Sequence, residues 1–432
     1  MALIGAQQEL PEPELGFLLA DADEHSSSRP DAHIDYIDPK KKHLAIRSLE
    51  NPDGSRQFLY AGKPARMRPE KFQVTYSDDK LSDVGVHGIG GMGESDRDPR
   101  HIVPGSLLNR LNPLKGLDAA GRIEFARKYR ELSDQLDNPA DRLVVMDSQG
   151  IEATVNYSSG MPEYEFEDNF EALYANQRAV NRYISTEWGF RYENRIFTPP
   201  QISTADAGAA IAELDALLTE DRTPKIIELI SGPSIHRSPF RPELDPFWAR
   251  LNEAHINVCT HLAGVTFYAR QGLEWDEPEV MMGDMDAFQW VMYYGDRPAY
   301  ELVAAAILQG LFNRFPNVKL LLSEQGTVWV PYIVRKMDHA FKLGRRATWG
   351  KLEMLPSEYF RHHVRVAPFP EENVYRVIDA VGVDSITFGS DFPHGEGLPD
   401  PAMYLTQLSE CTDEQVRAIM RSNLAELLGL PA

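Results

Sequence analysis

Short β-rich runs alternate with helical stretches along most of this 432-residue chain, an order that restricts it to folds in which helices cover a parallel sheet. Candidate strands lie near Phe17–Asp23, Ala153–Asn156, Arg195–Ile202, Ile226–Ser231, Ile256–His261, Val318–Ser323, His363–Ala367 and Ser385–Ser390. Between them, helical spacing of apolar residues spans Phe170–Trp188, Asp206–Leu218, Pro242–Ala254, Tyr300–Phe315, Trp329–Leu343 and Glu371–Val381. Eight such strands predict an α/β chain folded as a (β/α)8 barrel, one domain over residues 1–432, with an open doubly wound sheet as the competing arrangement.

Two stretches break the repeat. Residues 31–142 are Pro/Gly-interrupted and charge-rich; residues 263–297 carry Trp275, Met281, Met282, Met285 and Trp290. Each follows a predicted strand, the first and the fifth, so each is expected to emerge at the C-terminal face and cover a pocket there. The Gly-dense piece Gly85–Gly93 lacks the lysine and following helix of a phosphate-binding loop and is read as a mobile loop. The last helix is predicted to open at Thr412, with Gln415 at capping-box spacing, and to run to Gly429, with Pro431 beyond.

Composition narrows the partners. A formal net charge of −21, from 44 Lys+Arg and 65 Asp+Glu, repels phosphate backbones and anionic lipid headgroups, and no basic stripe offsets it. A small-molecule substrate is expected, with neither nucleic acid nor membrane as partner. With 43% hydrophobic and 25% charged residues, disorder and fibre are excluded. Cys259 and Cys411 are too few for a disulfide framework, which fits a reducing cytoplasm. The first twenty residues contain Glu9, Glu12 and Glu14 and no Lys or Arg, unlike the basic start of a signal peptide, so export is not expected. The longest apolar stretch, Leu302–Phe312, is interrupted by Gln309 and falls short of the roughly 18 residues of a membrane span.

Chemistry-bearing residues sit where predicted strands stop. On an extended chain, residues two apart face the same side, so Asp23 and His25 project together with Asp21 behind them. The fifth strand ends in Cys259-Thr260-His261 and the eighth in Gly389-Ser390-Asp391. Asp23, His25, His261 and Asp391 would meet at one mouth as two imidazoles and two carboxylates, a set suited to one divalent ion, Zn²⁺ first, with Mn²⁺ or Fe²⁺ as the alternative.

These residues and several phrases resemble the amidohydrolase superfamily, in the amidohydrolase family 2 branch typified by aminocarboxymuconate-semialdehyde decarboxylase. The matching pieces are Asp21 to His25 (DADEH), Phe312 to Glu324 (FNRFPNVKLLLSE) with Gly326 and Trp329-Val330-Pro331, Gly389 to His394 (GSDFPH), and Asn423 to Leu430. The resemblance implies a distorted (β/α)8 barrel with one catalytic metal held by Asp23, His25, His261 and Asp391. It also makes a homodimer an expectation. The chain departs from the pattern at Asp23, where many relatives carry histidine, and at Glu324, where the best-known decarboxylases carry histidine.

A metal lowers the pKa of bound water toward about 7, which predicts a hydrolase for a small carboxylated or cyclic substrate. In that reading Asp391 is the base, Glu324 positions water or substrate, and His394 stabilises the developing oxyanion. The alternative is nonoxidative decarboxylation, with Asp391 or His394 protonating a ring carbon as CO₂ leaves. A barrel that only binds a ligand is the third reading, disfavoured because all four metal-type residues are present. Trp329 and Arg237 are candidate substrate contacts. His255 is read as a cap or surface residue, Cys259 as a packing thiol, and His362 and His363 as structural.

Overall fold

Prolines interrupt one predicted strand, and a left-handed residue follows another. The computed structural model of the chain describes residues 15–26, 32–50, 56–64, 104–106, 108, 110–118, 120–125, 136, 138–158, 169–219, 223–235, 237–262, 275–277, 287–293, 296–344 and 352–431. Gly85–Gly93, Met281, Met282, Met285 and much of the two predicted insertions lie outside the described residues. The strands are β1 (Leu19–His25), β2 (Arg47–Glu50), β3 (Arg56–Tyr60), β4 (Lys63–Pro64), β5 (Ile151–Tyr157), β6 (Ile196–Phe197), β7 (Ile226–Glu228), β8 (Asn257–Thr260), β9 (Leu320–Leu322) and β10 (Val364–Val366). They form two parallel sheets, ordered β1-β5-β6 and β10-β9-β8-β7, and a small antiparallel sheet β2-β3-β4 inside the first insertion.

The stretch Arg195–Ile202, predicted as one strand, keeps a ladder only at β6. Pro199 and Pro200 have no N–H to donate, and pairing resumes as a single bridge between Gln201 and Glu228. In residues 385–390, the eighth predicted strand, Ser385 closes a short 3-10 turn and Ile386 pairs with Val366 as a single bridge; Asp391, just beyond, turns left-handed at φ 55°. Thr387 N–H donates to Val366 O at 2.9 Å, while Ala22 N–H donates to Phe388 O at 2.8 Å, so this segment lies between β10 and β1.

Both faces of the parallel strands are buried, as near-continuous apolar strands require. One face carries Ala20, Ala22, Ala153, Val155, Phe197, Ile226, Cys259 and Leu321, which pack on Leu424, Leu427 and Leu428 near the chain's end. Ile227, Val258, Leu320, Leu322, Val364 and Val366 belong to the larger cluster shared with the helices. The helices along the chain include α1 (Pro139–Gln149), α2 (Phe170–Tyr183), α3 (Ala207–Leu218), α4 (Asp245–Ala254), α5 (Asp296–Leu308), α6 (Val330–Leu343), α7 (Pro356–His363), α8 (Val374–Val381), α9 (Asp413–Arg417) and α10 (Asn423–Leu428). The Thr412/Gln415 capping box forms as read, and a π-turn at Ala418–Ser422 joins α9 to α10 before Gly429 ends the helix left-handed. Among the described residues, no helix is long and apolar enough to cross a membrane.

Helix α1 starts inside the stretch assigned to the first insertion. Asn138 caps it by accepting from Asp141 N–H, and Pro139 occupies the first turn. Its Arg142 lies 3.1 Å from Glu24 of β1, and both side chains are almost wholly buried. The same guanidinium sits 5.2 Å above the Phe392 ring. Removing one partner of such a pair leaves a buried charge uncompensated, at a cost of about 3–5 kcal/mol. Arg142→Met is expected to lower the urea unfolding free energy by about that amount, and adding Glu24→Gln to restore most of it. A single-variant loss below about 1 kcal/mol, no more than an exposed pair contributes, would show that the pair is not a structural tie.

Candidate metal centre

Four segments leave their strands with a polar side chain at the same end of the parallel sheets. β1 ends in Asp23 and His25, β8 is followed by His261, β9 by Glu324, and the 386–390 segment by Asp391. The Nε2 atoms of His25 and His261 lie 3.2 Å apart. Asp23 Oδ1 is 3.4 Å from the first and 3.3 Å from the second. Asp391 Oδ1 is 3.1 Å from His25 Nε2, and Glu324 Oε2 is 2.8 Å from His261 Nε2. His394 completes the group, its Nδ1 2.8 Å from Asp391 Oδ1 and its ring stacked on His25 at 3.9 Å.

The electrostatics are those of charges gathered away from water. Burial would raise the Asp23 carboxyl, but the His261 and His25 imidazoles overcome this and hold it below its ordinary value. Burial likewise opposes ionisation of Asp391, yet His394 and His25 keep its carboxyl well below the usual range. His261 is driven well above an ordinary histidine by Glu324 and Asp23 against the pull of burial. Glu324 is raised, first by burial and then by Asp391. Asp23 Oδ1 and Asp391 Oδ2 are buried without a hydrogen-bond partner. Imidazole nitrogens facing each other, ringed by carboxylate oxygens with unused lone pairs, are donors that fit a divalent cation.

Local structure aims these groups. Asp21 Oδ1 accepts from Asp23 N–H at 3.0 Å and from Ser390 N–H at 2.9 Å, tying β1 to the strand-like segment beside it. Asp391 N–H donates to Asp23 O at 2.8 Å and His25 N–H to Phe392 O at 2.9 Å. Gly389 permits this approach: a Cβ there would lie 2.9 Å from the Cβ of Asp23. Asp391 and Glu324 both have positive φ, 55° and 52°, an uncommon conformation for residues with side chains and one that clusters at functional sites.

Other residues at the centre were not singled out in the sequence. Tyr157 lies one position past its predicted strand, packs its ring 4.4 Å from His261, and donates its hydroxyl to Ser323 Oγ at 2.9 Å. Ser323 Oγ in turn donates to Ala22 O at 2.8 Å. Gln325 Nε2 donates to His261 O at 2.8 Å and to Ser231 Oγ. Glu228, within a predicted strand, is pushed up to about 7 by burial, and Glu396 to about 7 by burial and by Asp391. For Tyr157, Ser323 and Gln325 the sequence signal was position, at or just beyond a predicted strand end; Glu228 and Glu396 carried no such signal.

The two expected substrate contacts have polar partners of their own. Trp329 is buried, its indole N–H donating to Gly326 O at 2.9 Å and Gln325 O at 3.2 Å, so it braces the turn after β9. Arg237 is 55% exposed and paired with Glu243 at 2.9 Å. His255 caps α4 in a left-handed conformation, Cys259 is a fully buried thiol, and His363 Nδ1–H donates to Val318 O while its ring stacks on Phe312. His362 contacts the ring of His363.

Three comparisons bear on this geometry. A family model described as amidohydrolase matches residues 101–430. A 2-amino-3-carboxymuconate-6-semialdehyde decarboxylase of Dictyostelium discoideum is 24% identical over 144 residues, which are 33% of this chain and 40% of that protein. The chain therefore aligns with less than half the length of that curated relative. Among solved structures, an amidohydrolase of Mycobacterium avium subsp. paratuberculosis K-10 superposes with a TM-score of 0.76 at 25% identity, covering 96% of this chain and 99% of that one. A dihydroxybenzoic acid decarboxylase of Polaromonas sp. JS666, solved with bound manganese and the inhibitor 2-nitroresorcinol, shares the fold. Its TM-score is 0.56 at 17% identity, covering 70% of this chain and 90% of that one.

Gly389→Ala tests the positioning of Asp23 without removing any donor. The added methyl meets the Asp23 Cβ, so Mn²⁺ affinity is expected to fall at least about tenfold, the scale of losses when groups that orient ligands are disturbed. Isothermal titration reads the change; unaltered affinity in a folded variant would mean that Asp23 does not need this position.

Proposed function

Since the chain belongs to the amidohydrolase family, and is an enzyme by that membership, we propose that it catalyses the metal-dependent, nonoxidative decarboxylation of an aromatic or unsaturated carboxylic acid. The observation that carries this is the pair of imidazole Nε2 atoms 3.2 Å apart among buried carboxylates. Hydrolysis, the first reading of the sequence, draws on the same side chains; the decarboxylases among the relatives favour carboxylate removal instead. The proposal takes the two parallel sheets as one (β/α)8 barrel in a single domain, supported by the Gln201–Glu228, Val366–Ile386 and Glu24–Phe392 bridges. It takes residues 31–142 and 263–297 as covers over its mouth.

In this reading Asp23, His25, His261 and Asp391 would hold the cation. Manganese, seen in a dihydroxybenzoic acid decarboxylase and a carboxyvanillate decarboxylase of the same fold, is the first metal to test, ahead of the zinc or iron also expected from the donor types. When bound, the ion supplies positive charge that draws the substrate's carboxylate and a neighbouring oxygen toward the cluster. Proton delivery falls to His394. Burial lowers this imidazole's pKa, but Asp391 overrides burial and pushes it up to about 10. With Nδ1 engaged by Asp391, Nε2 is the atom that gives up a proton. As the bond to the carboxylate breaks, its electron pair remains on the substrate carbon and takes that proton, and CO₂ departs uncharged. Tyr157 and Gln325 hold His261 in place, and Asp391 holds the His394 ring during transfer.

The test is a panel of hydroxylated benzoates, carboxylated phenols, lactones and amides presented to Mn²⁺-loaded protein, with CO₂ release and water-dependent cleavage read separately. CO₂ from an aromatic acid is expected. Cleavage of a lactone or amide with no CO₂ from any acid would return the protein to the hydrolases. His394→Gln should reduce turnover about 10²–10⁴-fold, the usual contribution of a positioned acid, while Mn²⁺ affinity stays within a few-fold of the parent.

A further inference from the structure

We propose that Glu324 is a fifth protein ligand to the cation, so that three carboxylates and two imidazoles surround one ion and tilt the site from Zn²⁺ toward Mn²⁺. This rests on the reading of the cluster as a metal centre and assigns Glu324 a different task from positioning water or substrate.

Strand alternation makes the placement of Glu324 informative. Ser323 already faces the cluster side, since its hydroxyl accepts from Tyr157 and donates to Ala22 O. The next residue on an extended chain would face the opposite way. The left-handed turn at Glu324, φ 52°, brings its side chain to the same side instead, where it is buried. Such a conformation is unfavourable for a residue with a Cβ and persists where the surroundings enforce it. The turn is enforced here: Gly326 follows with φ 59°, and a Cβ on it would lie 3.0 Å from Phe369 and Glu372 atoms. Glu372 accepts from Thr327 N–H, at 2.9 Å to Oε2, and from Thr327 Oγ1 at 2.7 Å, which pins the next residue as well.

The separations are those of atoms sharing one centre. Donors about 2.1 Å from an ion lie about 3.0 Å apart when adjacent in an octahedron and about 4.2 Å apart when opposite. Glu324 Oε2 is 2.8 Å from His261 Nε2 and 4.0 Å from His25 Nε2. Four further separations, Asp391–His25 at 3.1 Å, His25–His261 at 3.2 Å, His261–Asp23 at 3.3 Å and His25–Asp23 at 3.4 Å, fall near the adjacent value. Two overlapping sets of donors, Asp23/His25/His261 and His25/Glu324/Asp391/His394, share His25, which places Glu324 and Asp23 around one imidazole. Asp23 Oδ1 and Asp391 Oδ2 remain buried without hydrogen-bond partners. Carboxylates suit Mn²⁺, which accepts six ligands, more than Zn²⁺, which favours four with nitrogen or sulfur among them. Three carboxylates also carry one more negative charge than a divalent ion neutralises, a surplus that favours the harder cation.

The experiment measures Mn²⁺ and Zn²⁺ dissociation constants for the parent, Glu324→Gln and Glu324→His by competition with a chromogenic chelator. It also counts the waters on bound Mn²⁺ by proton relaxation. A lost carboxylate ligand should weaken Mn²⁺ at least tenfold and Zn²⁺ less, and the histidine variant should bind Zn²⁺ better relative to Mn²⁺. The parent should hold Mn²⁺ with one water and the glutamine variant with two. That parent count stands even if a variant fails to fold, and two waters in the parent would overturn the assignment. Mn²⁺ affinity within twofold of the parent in Glu324→Gln would also overturn it. A parent that binds no divalent ion would instead bring down the metal-centre reading beneath it.

Discussion

Carboxylates crowded out of water repel one another, and everything at the mouth of this sheet is arranged around that repulsion. Asp21, Asp23, Glu24, Glu324 and Asp391 are all buried. Each charge needs an answer close by, because the low dielectric that strengthens attraction also makes an unanswered charge costly. The imidazoles of His25, His261 and His394 answer some of it on the inner side. Behind the strand, Arg142 answers Glu24. Burial, and after it Glu24, raises the Asp21 carboxyl well above its ordinary value, while its Oδ1 accepts two backbone N–H groups. The remaining surplus of acidic oxygens at the centre is what gives a cation its place.

Rigidity follows from the way these answers are shared between strands. Glu24 lies between two proposed ligands, and its partner Arg142 also covers Phe392, which follows a third. Tyr157 from β5 and Ser323 after β9 form a hydroxyl chain ending on Ala22 of β1, so three strands meet beneath the imidazoles. Gln325 and Ser231 hold the carbonyl of His261. Fixing donors through neighbours that are themselves fixed is how proteins set the preferences of a metal site.

Much of this was legible because strand ends carry the chemistry. The spacing of Asp23 and His25, and the placing of His261 and Asp391 at the close of apolar runs, follow from period-two alternation and from the rule that sites form at one end of parallel strands. The parallel α/β architecture and the final capped helix were equally readable. Alternation could not reveal Glu324's direction, since a left-handed residue breaks the pattern on which the reading depends. Nor could it reveal Arg142, whose value lies in a partner more than a hundred residues earlier; the local sequence around it reads only as the charged end of an insertion. Trp329 could be read from the sequence equally as a cavity-lining or a packing residue, and its indole N–H bonds to the carbonyls of a turn are nothing that local sequence could reveal. Family membership was carried by phrases, whereas the proposed reaction rests on relatives that the phrases alone could not rank.

The tie between Asp21 and Ser390 spans 369 residues of sequence. During synthesis, at roughly 5–20 residues per second, the first strand leaves the ribosome long before its neighbour exists. A nascent chain can therefore present Asp23 and His25 to the cell's metals well before Asp391 arrives to join them. The whole proposed donor set is complete only once the two ends of the fold have joined.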